Sequence, residues 1–125
     1  MDAAPAADNG AQPRRRAERR AAAQQAESEA TTALNVLGQK WVLRIVRELG
    51  GRKRRFCELQ DALGGANSAT LSQRLRLLEE EGVIARRIVS SVPPWVEYSL
   101  TDKGVDLRRA ISGIESWADR WSRRA

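Results

Sequence analysis

Apolar residues recur along this 125-residue chain with two different periods, and the change of period marks its elements. Leu71, Leu75 and Leu78 fall on one face at 100° per residue, which predicts an amphipathic helix over 68–81. Ser68 stands where an N-cap belongs and Gly82 where a helix stops. Past Gly82 the period drops to two. Residues 83–89 are strand formers, and Val96, Tyr98 and Leu100 alternate with Glu97 and Ser99. A hairpin of strands 83–89 and 95–100 follows, with Ser90, Ser91, Val92, Pro93 and Pro94 as its tip, because prolines interrupt a regular ladder.

The same patterns organise the flanks. Phe56, Leu59 and Leu63 predict a helix over 56–63, and Gly64 and Gly65 a turn leading into Ser68. Upstream, Trp41, Val42, Ile45, Val46 and Leu49 give a helix over 40–49 a broad buried face, with Trp41 as a core anchor. Downstream, Thr101 caps a helix to about Ser122. Its Leu107, Ile111, Ile114, Ala118 and Trp121 step by 4, 3, 4 and 3, a heptad seam flanked by Trp117. Such a seam wants another helix, from a second subunit or from the same domain. Residues 1–30 contain no Val, Leu or Ile and form a tail, expected to be disordered over 1–13 and helical from Arg14. The folded domain is expected over 31–125.

The predicted architecture is α+β and mainly helical, a winged helix-turn-helix with N- and C-terminal dimerisation helices. Helix followed by basic hairpin is the order in which that fold meets DNA. Opposite the leucine stripe, the helix carries Ala69, Thr70, Ser72, Gln73 and Arg76, small or hydrogen-bonding side chains suited to a major groove, with Ser68 at its start. Glu79, Glu80 and Glu81 would be repelled by phosphate, so the last turn is expected to point away. Arg86 and Arg87 on the first wing strand point to opposite sides and can reach backbone or minor groove. Arg54 and Arg55, within the basic run 52–55, are further phosphate candidates; the alternative for that run is simple solvation.

Four segments carry a family likeness: LGQKWVLRIVREL (37–49), RRFCELQDAL (54–63), TLSQRLRLLEEEGVI (70–84) and VPPWVEYSLTDKG (92–104). In this order and spacing, from about Ala33 to Trp121, the chain resembles the HxlR family of bacterial transcriptional regulators, a branch of the MarR-like winged helix proteins. The resemblance implies a dimeric DNA-binding repressor or activator that responds to a chemical signal. It also departs from the family, many of whose members carry a cysteine near the positions of Glu27 and Ser28, where this chain has none.

Charge and composition agree with that picture. The formal charge is +6, and the five arginines of residues 1–30 are matched by five carboxylates, so the excess lies in 31–125. A basic domain suits a polyanion such as double-stranded DNA, and a dimer predicts an inverted-repeat operator. The cluster Arg14, Arg15, Arg16, Arg19 and Arg20 fits either an auxiliary DNA arm or a solvated helix. With one cysteine there is no internal disulfide, and neither a signal peptide nor a span is apparent, so a cytoplasmic location is expected.

There is no histidine, which removes Ser-His and Cys-His dyads and His-bearing metal sites; no enzyme activity, metal or cofactor is expected. Two readings fit Cys57, at a helix start after four basic residues: a redox sensor for an oxidant or small-molecule effector, or a small packing residue. The rival to a sequence-specific regulator is a winged helix docking module for protein partners, or a nonspecific nucleic-acid binder. Steep salt dependence separates DNA binding from docking.

Overall fold

The computed structural model describes residues 3–122, with side chains from residue 13 onward. The chain divides into two compact units, Met1–Gly38 and Gln39–Ala125. The first consists of one helix, α1 (Ala3–Leu37), with Pro13 inside it. Its backbone is therefore helical from Ala3, where composition predicts disorder as far as residue 13; alanine-rich sequence has the propensity to propagate a helix that far. The expected disorder of residues 1–2 lies outside the described residues. The break between units comes after Gly38 rather than after residue 30.

The second unit holds α2 (Val42–Glu48), β1 (Arg54–Arg55), α3 (Phe56–Ala62), α4 (Ser68–Glu80), β2 (Ile84–Ser91), β3 (Pro94–Leu100) and α5 (Asp102–Ser122). The strands form an antiparallel sheet in the order β1-β3-β2. Its core contains the expected Val42, Ile45 and Val46 from α2, Leu59 and Leu63 around α3, and Leu71, Leu75 and Leu78 from α4, and adds Val83 and Ile84 leading into the wing, while Phe56 is only half-buried. The leucine stripe of α4 is buried to within 2% at every position, which orients that helix.

Four local expectations are corrected. Helix α2 starts at Val42 instead of Lys40, because Trp41 takes a left-handed backbone at φ 77° and sits outside it as N-cap. Trp41 is accordingly half-buried, not a core anchor, and its ring lies 5.0 Å from both Lys40 Nζ and the Arg44 guanidinium. The hairpin tip is a turn at Val92 and Pro93 only, with Ser91 paired to Pro94. Proline is tolerated there because it is the first residue of its strand. A bulge between Ile88 and Ser90 takes up the odd residue of the longer strand.

The fourth concerns the heptad seam, which serves two purposes. Ile111 is buried at 4% exposure within its own unit, where α5 packs on α2 and β3, and Leu107 is half-buried. Further along, Ile114 and Trp117 are 49% and 57% exposed, Trp121 is 55% exposed, and Ala118 is also on the surface. The seam thus packs back on the domain in its first half and faces outward in its second. Among the described residues no helix is long and apolar enough to cross a membrane.

Candidate nucleic-acid interface

The candidate interface is built by α3, α4 and the wing. Asn67, not Ser68, caps α4: its Oδ1 accepts the Ala69 and Thr70 amides at 2.9 and 3.1 Å. The displaced Ser68 has another partner. Gln60 Nε2 on α3 donates to Ser68 Oγ and to the Ala66 carbonyl, each at 2.8 Å, which fixes the turn between the two helices. On the other flank, Arg74 Nε donates to the Lys40 carbonyl at 3.0 Å and ties α4 to the turn before α2. The roles of Gln60 and Arg74 leave no periodic signal in the sequence, since their partners lie across a turn or 34 positions away, whereas Asn67 is a cap by type and is hidden only by the equally suitable Ser68 beside it.

With the leucines inward and these ties in place, Ala69, Ser72, Gln73 and Arg76 are exposed and Thr70 is half-buried. The wing stands beside this face. In β2, Arg86 pairs with Tyr98 and Arg87 with Glu97, so the two arginines lie on opposite faces of the ribbon. Arg86 is on the α4 side. A cleft of about 340 Å³ opens there, lined by Ser72, Leu75, Arg76, Glu79, Arg86 and Tyr98. Glu79 therefore shares the cleft with two arginines, where repulsion from phosphate predicts a carboxylate turned away.

The arginines of the second unit divide into two sets. Arg54 Nε donates to the Glu48 carbonyl at 2.9 Å and its Nη2 lies 3.4 Å from Glu48 Oε2, fastening β1 to α2. Arg55 places its guanidinium 4.2 Å from the centroid of the Trp95 ring, and Arg52 meets Glu58 Oε2 at 3.3 Å. Glu58 in turn accepts the Arg55 amide at 2.8 Å. That bond lowers its carboxyl from the ordinary carboxylate value against the opposing effect of desolvation, with the charges of Arg52, Arg55 and Arg54 adding to the lowering. By contrast Arg76, Arg86 and Arg87 make no ion pair or hydrogen bond within the described residues. Among the other described basic side chains of this unit, Lys53 and Arg120 are likewise without such a bond, while Lys40, Arg44 and Arg55 have only an aromatic ring as partner.

Residues 36–125 match the model of the HxlR-like helix-turn-helix family. The chain belongs to that family. It is 40% identical over 89 residues to the HTH-type transcriptional regulator YvaP of Bacillus subtilis, spanning 71% of this chain and 82% of that one. A MarR-family transcriptional regulator from Enterococcus faecalis superposes with a TM-score of 0.69 at 33% identity, covering 78% of this chain and 89% of the other. The reduced form of YodB from Bacillus subtilis superposes at 0.66 with 28% identity, over 74% and 90% of the two chains. This HxlR-type protein is thus a winged helix, DNA-binding transcriptional regulator.

Cys57 is exposed in the first turn of α3 and borders an open cleft of about 330 Å³ with Arg55, Phe56, Trp95, Val96 and Tyr98. Among the described residues no group of three or more His, Cys, Asp or Glu side chains could hold a metal ion.

Proposed function

We propose that this regulator binds an inverted-repeat operator as a homodimer. The N-terminal half of α4 enters the major groove, with Ser68, Ala69, Thr70, Ser72, Gln73 and Arg76 toward the bases and phosphates. Arg86 and Arg87 on the wing hold the adjacent backbone or minor groove. The observation that carries this reading is the set of arginines without an intramolecular partner on α4 and β2, beside a helix whose other face is buried. A cation left unpaired by its own protein meets a phosphate without first breaking a bond. Arg54 and Arg55, engaged by Glu48 and Trp95, act as supports behind that surface rather than as contacts.

The dimer rests on the outer half of the seam. Ile114 and Trp117 would lose their water exposure against a second copy, whereas Ile111 already has a partner within its own unit. Two copies of α4 placed about 34 Å apart would enter successive major grooves on one side of a duplex.

YodB is known in a reduced form and in a quinone-bound form. In this chain a thiol-directed effector has one target, Cys57, beside the cleft against Trp95. Selection from randomised duplexes, followed by titration at several salt concentrations, tests the DNA reading. Enrichment of an inverted repeat with a steep salt slope, lost in Arg76→Ala, is expected; binding of no duplex at any salt would move protein docking into first place.

A further inference from the structure

We propose that the cleft between α4 and the wing seats one backbone phosphate of DNA, and that Glu79 on its wall weakens that hold. The inference rests on the DNA-binding reading above and adds to it the place where one phosphate sits and a residue, Glu79, that opposes its binding.

The cleft joins cations from two elements, Arg76 on α4 and Arg86 on β2, with the Ser72 hydroxyl on the same wall. Its volume of about 340 Å³ accommodates a phosphodiester group. Base edges are the business of the exposed N-terminal face of α4; the notch between helix and wing is where a strand's backbone passes. Neither arginine is neutralised by the protein, although a carboxylate is at hand. Glu79 lies one turn beyond Arg76 on the same edge of α4, yet it forms no ion pair with Arg76 or Arg86. It acts through space instead. A phosphate entering the cleft gains the two guanidinium groups and meets one like charge, against walls made partly of Leu75 and Tyr98 that exclude some solvent. Since a phosphate carries no base identity, the penalty applies to every sequence alike.

The test compares full-length wild type, Glu79→Gln, Glu80→Gln and Glu79→Gln with Arg86→Ala, on the duplex enriched by selection and on an unrelated duplex of equal length. Glu79→Gln is expected to bind both duplexes roughly 3- to 10-fold more tightly at low salt. That gain should shrink as salt rises, and it should disappear when Arg86 is also removed. Glu80, exposed and outside the cleft lining, controls for bulk charge. An equal gain in Glu80→Gln overturns the proposal. So does unchanged binding of Glu79→Gln, or a loss confined to the enriched duplex, which would make the carboxylate a reader of a cytosine amino group. If wild type binds neither duplex in a salt-sensitive way, the DNA reading itself fails. If wild type binds and Arg76→Ala weakens it while Glu79→Gln is silent, only this inference fails.

Discussion

One side-chain amide, that of Gln60, reaches Ser68 Oγ and the Ala66 carbonyl at the same distance of 2.8 Å, so a residue of α3 holds the first turn of α4 in place. Both acceptors belong to the turn that sets the angle between the helices. Replacing Gln60 by Ala removes two bonds and is expected to cost about 1–2 kcal/mol of stability, read as a shift in urea midpoint. Affinity for the enriched duplex should fall in the fraction that remains folded, because α4 loses its register with the wing. Undiminished affinity in the folded variant would show that the leucine packing alone orients the helix.

Gly104 marks a point where the fold has no room for a side chain. A Cβ built there would overlap the Val83 carbonyl oxygen and press on Leu100. The same carbonyl accepts the Thr101 amide at 3.1 Å, and the Gly104 amide donates to Thr101 Oγ1 at 3.2 Å as the cap of α5. Gly104→Ala must push α5 away from the start of β2, at a cost of roughly 2–3 kcal/mol by the usual scale of overpacking. Thermal unfolding of the variant should show a lowered midpoint; an unchanged one would mean that α5 is free to shift.

Acid should loosen the N-terminus of α3. The Glu58 carboxyl is depressed in the folded state by the Arg55 amide first, then by the charges of Arg52, Arg55 and Arg54. A depressed carboxylate stabilises the fold above its unfolded value of about 4.3 and loses that contribution as pH falls through the lower folded value. Stability therefore declines toward acid through this group. Glu58→Gln should flatten that part of the pH profile in urea titrations, with no effect on its shape near neutrality.

The two halves of the α5 seam predict opposite phenotypes. Ile111→Ala empties a buried site and is expected to destabilise by about 2–4 kcal/mol. Trp117→Glu, at a position 57% exposed, should leave the melting temperature of the isolated subunit nearly unchanged and shift sedimentation toward monomer. A Trp117→Glu protein that still sediments as a dimer would place the interface elsewhere.

Thiol chemistry has a single address. Cys57 is exposed and is the only cysteine, so a thiol-reactive probe should label one site, and Cys57→Ser should abolish labelling. A quinone that lowers DNA affinity of the wild type and not of Cys57→Ser would tie the effector to this residue.

Much of the fold was written in periodicity. The stripe Leu71, Leu75 and Leu78, the alternation Val96, Tyr98 and Leu100, and the glycines at 64, 65 and 82 specify helix, turn, helix and wing through short-range geometry. The family motifs and the basic excess of residues 31–125 likewise depend on order and composition alone.

Where each polar side chain ended was decided only by the tertiary structure, because a hydrogen bond or ion pair joins residues whose separation in sequence carries no rule. Arg54 and Arg55 read the same as Arg86 and Arg87 in the sequence, yet the first two are engaged by Glu48 and Trp95 and the last two are not. Ser68 and Asn67 are equally good caps by type, and the backbone gave the place to Asn67 while Gln60 claimed Ser68. A heptad pattern states that Ile111 and Ile114 both need apolar neighbours; only the packing of α5 on α2 covers the first and leaves the second exposed.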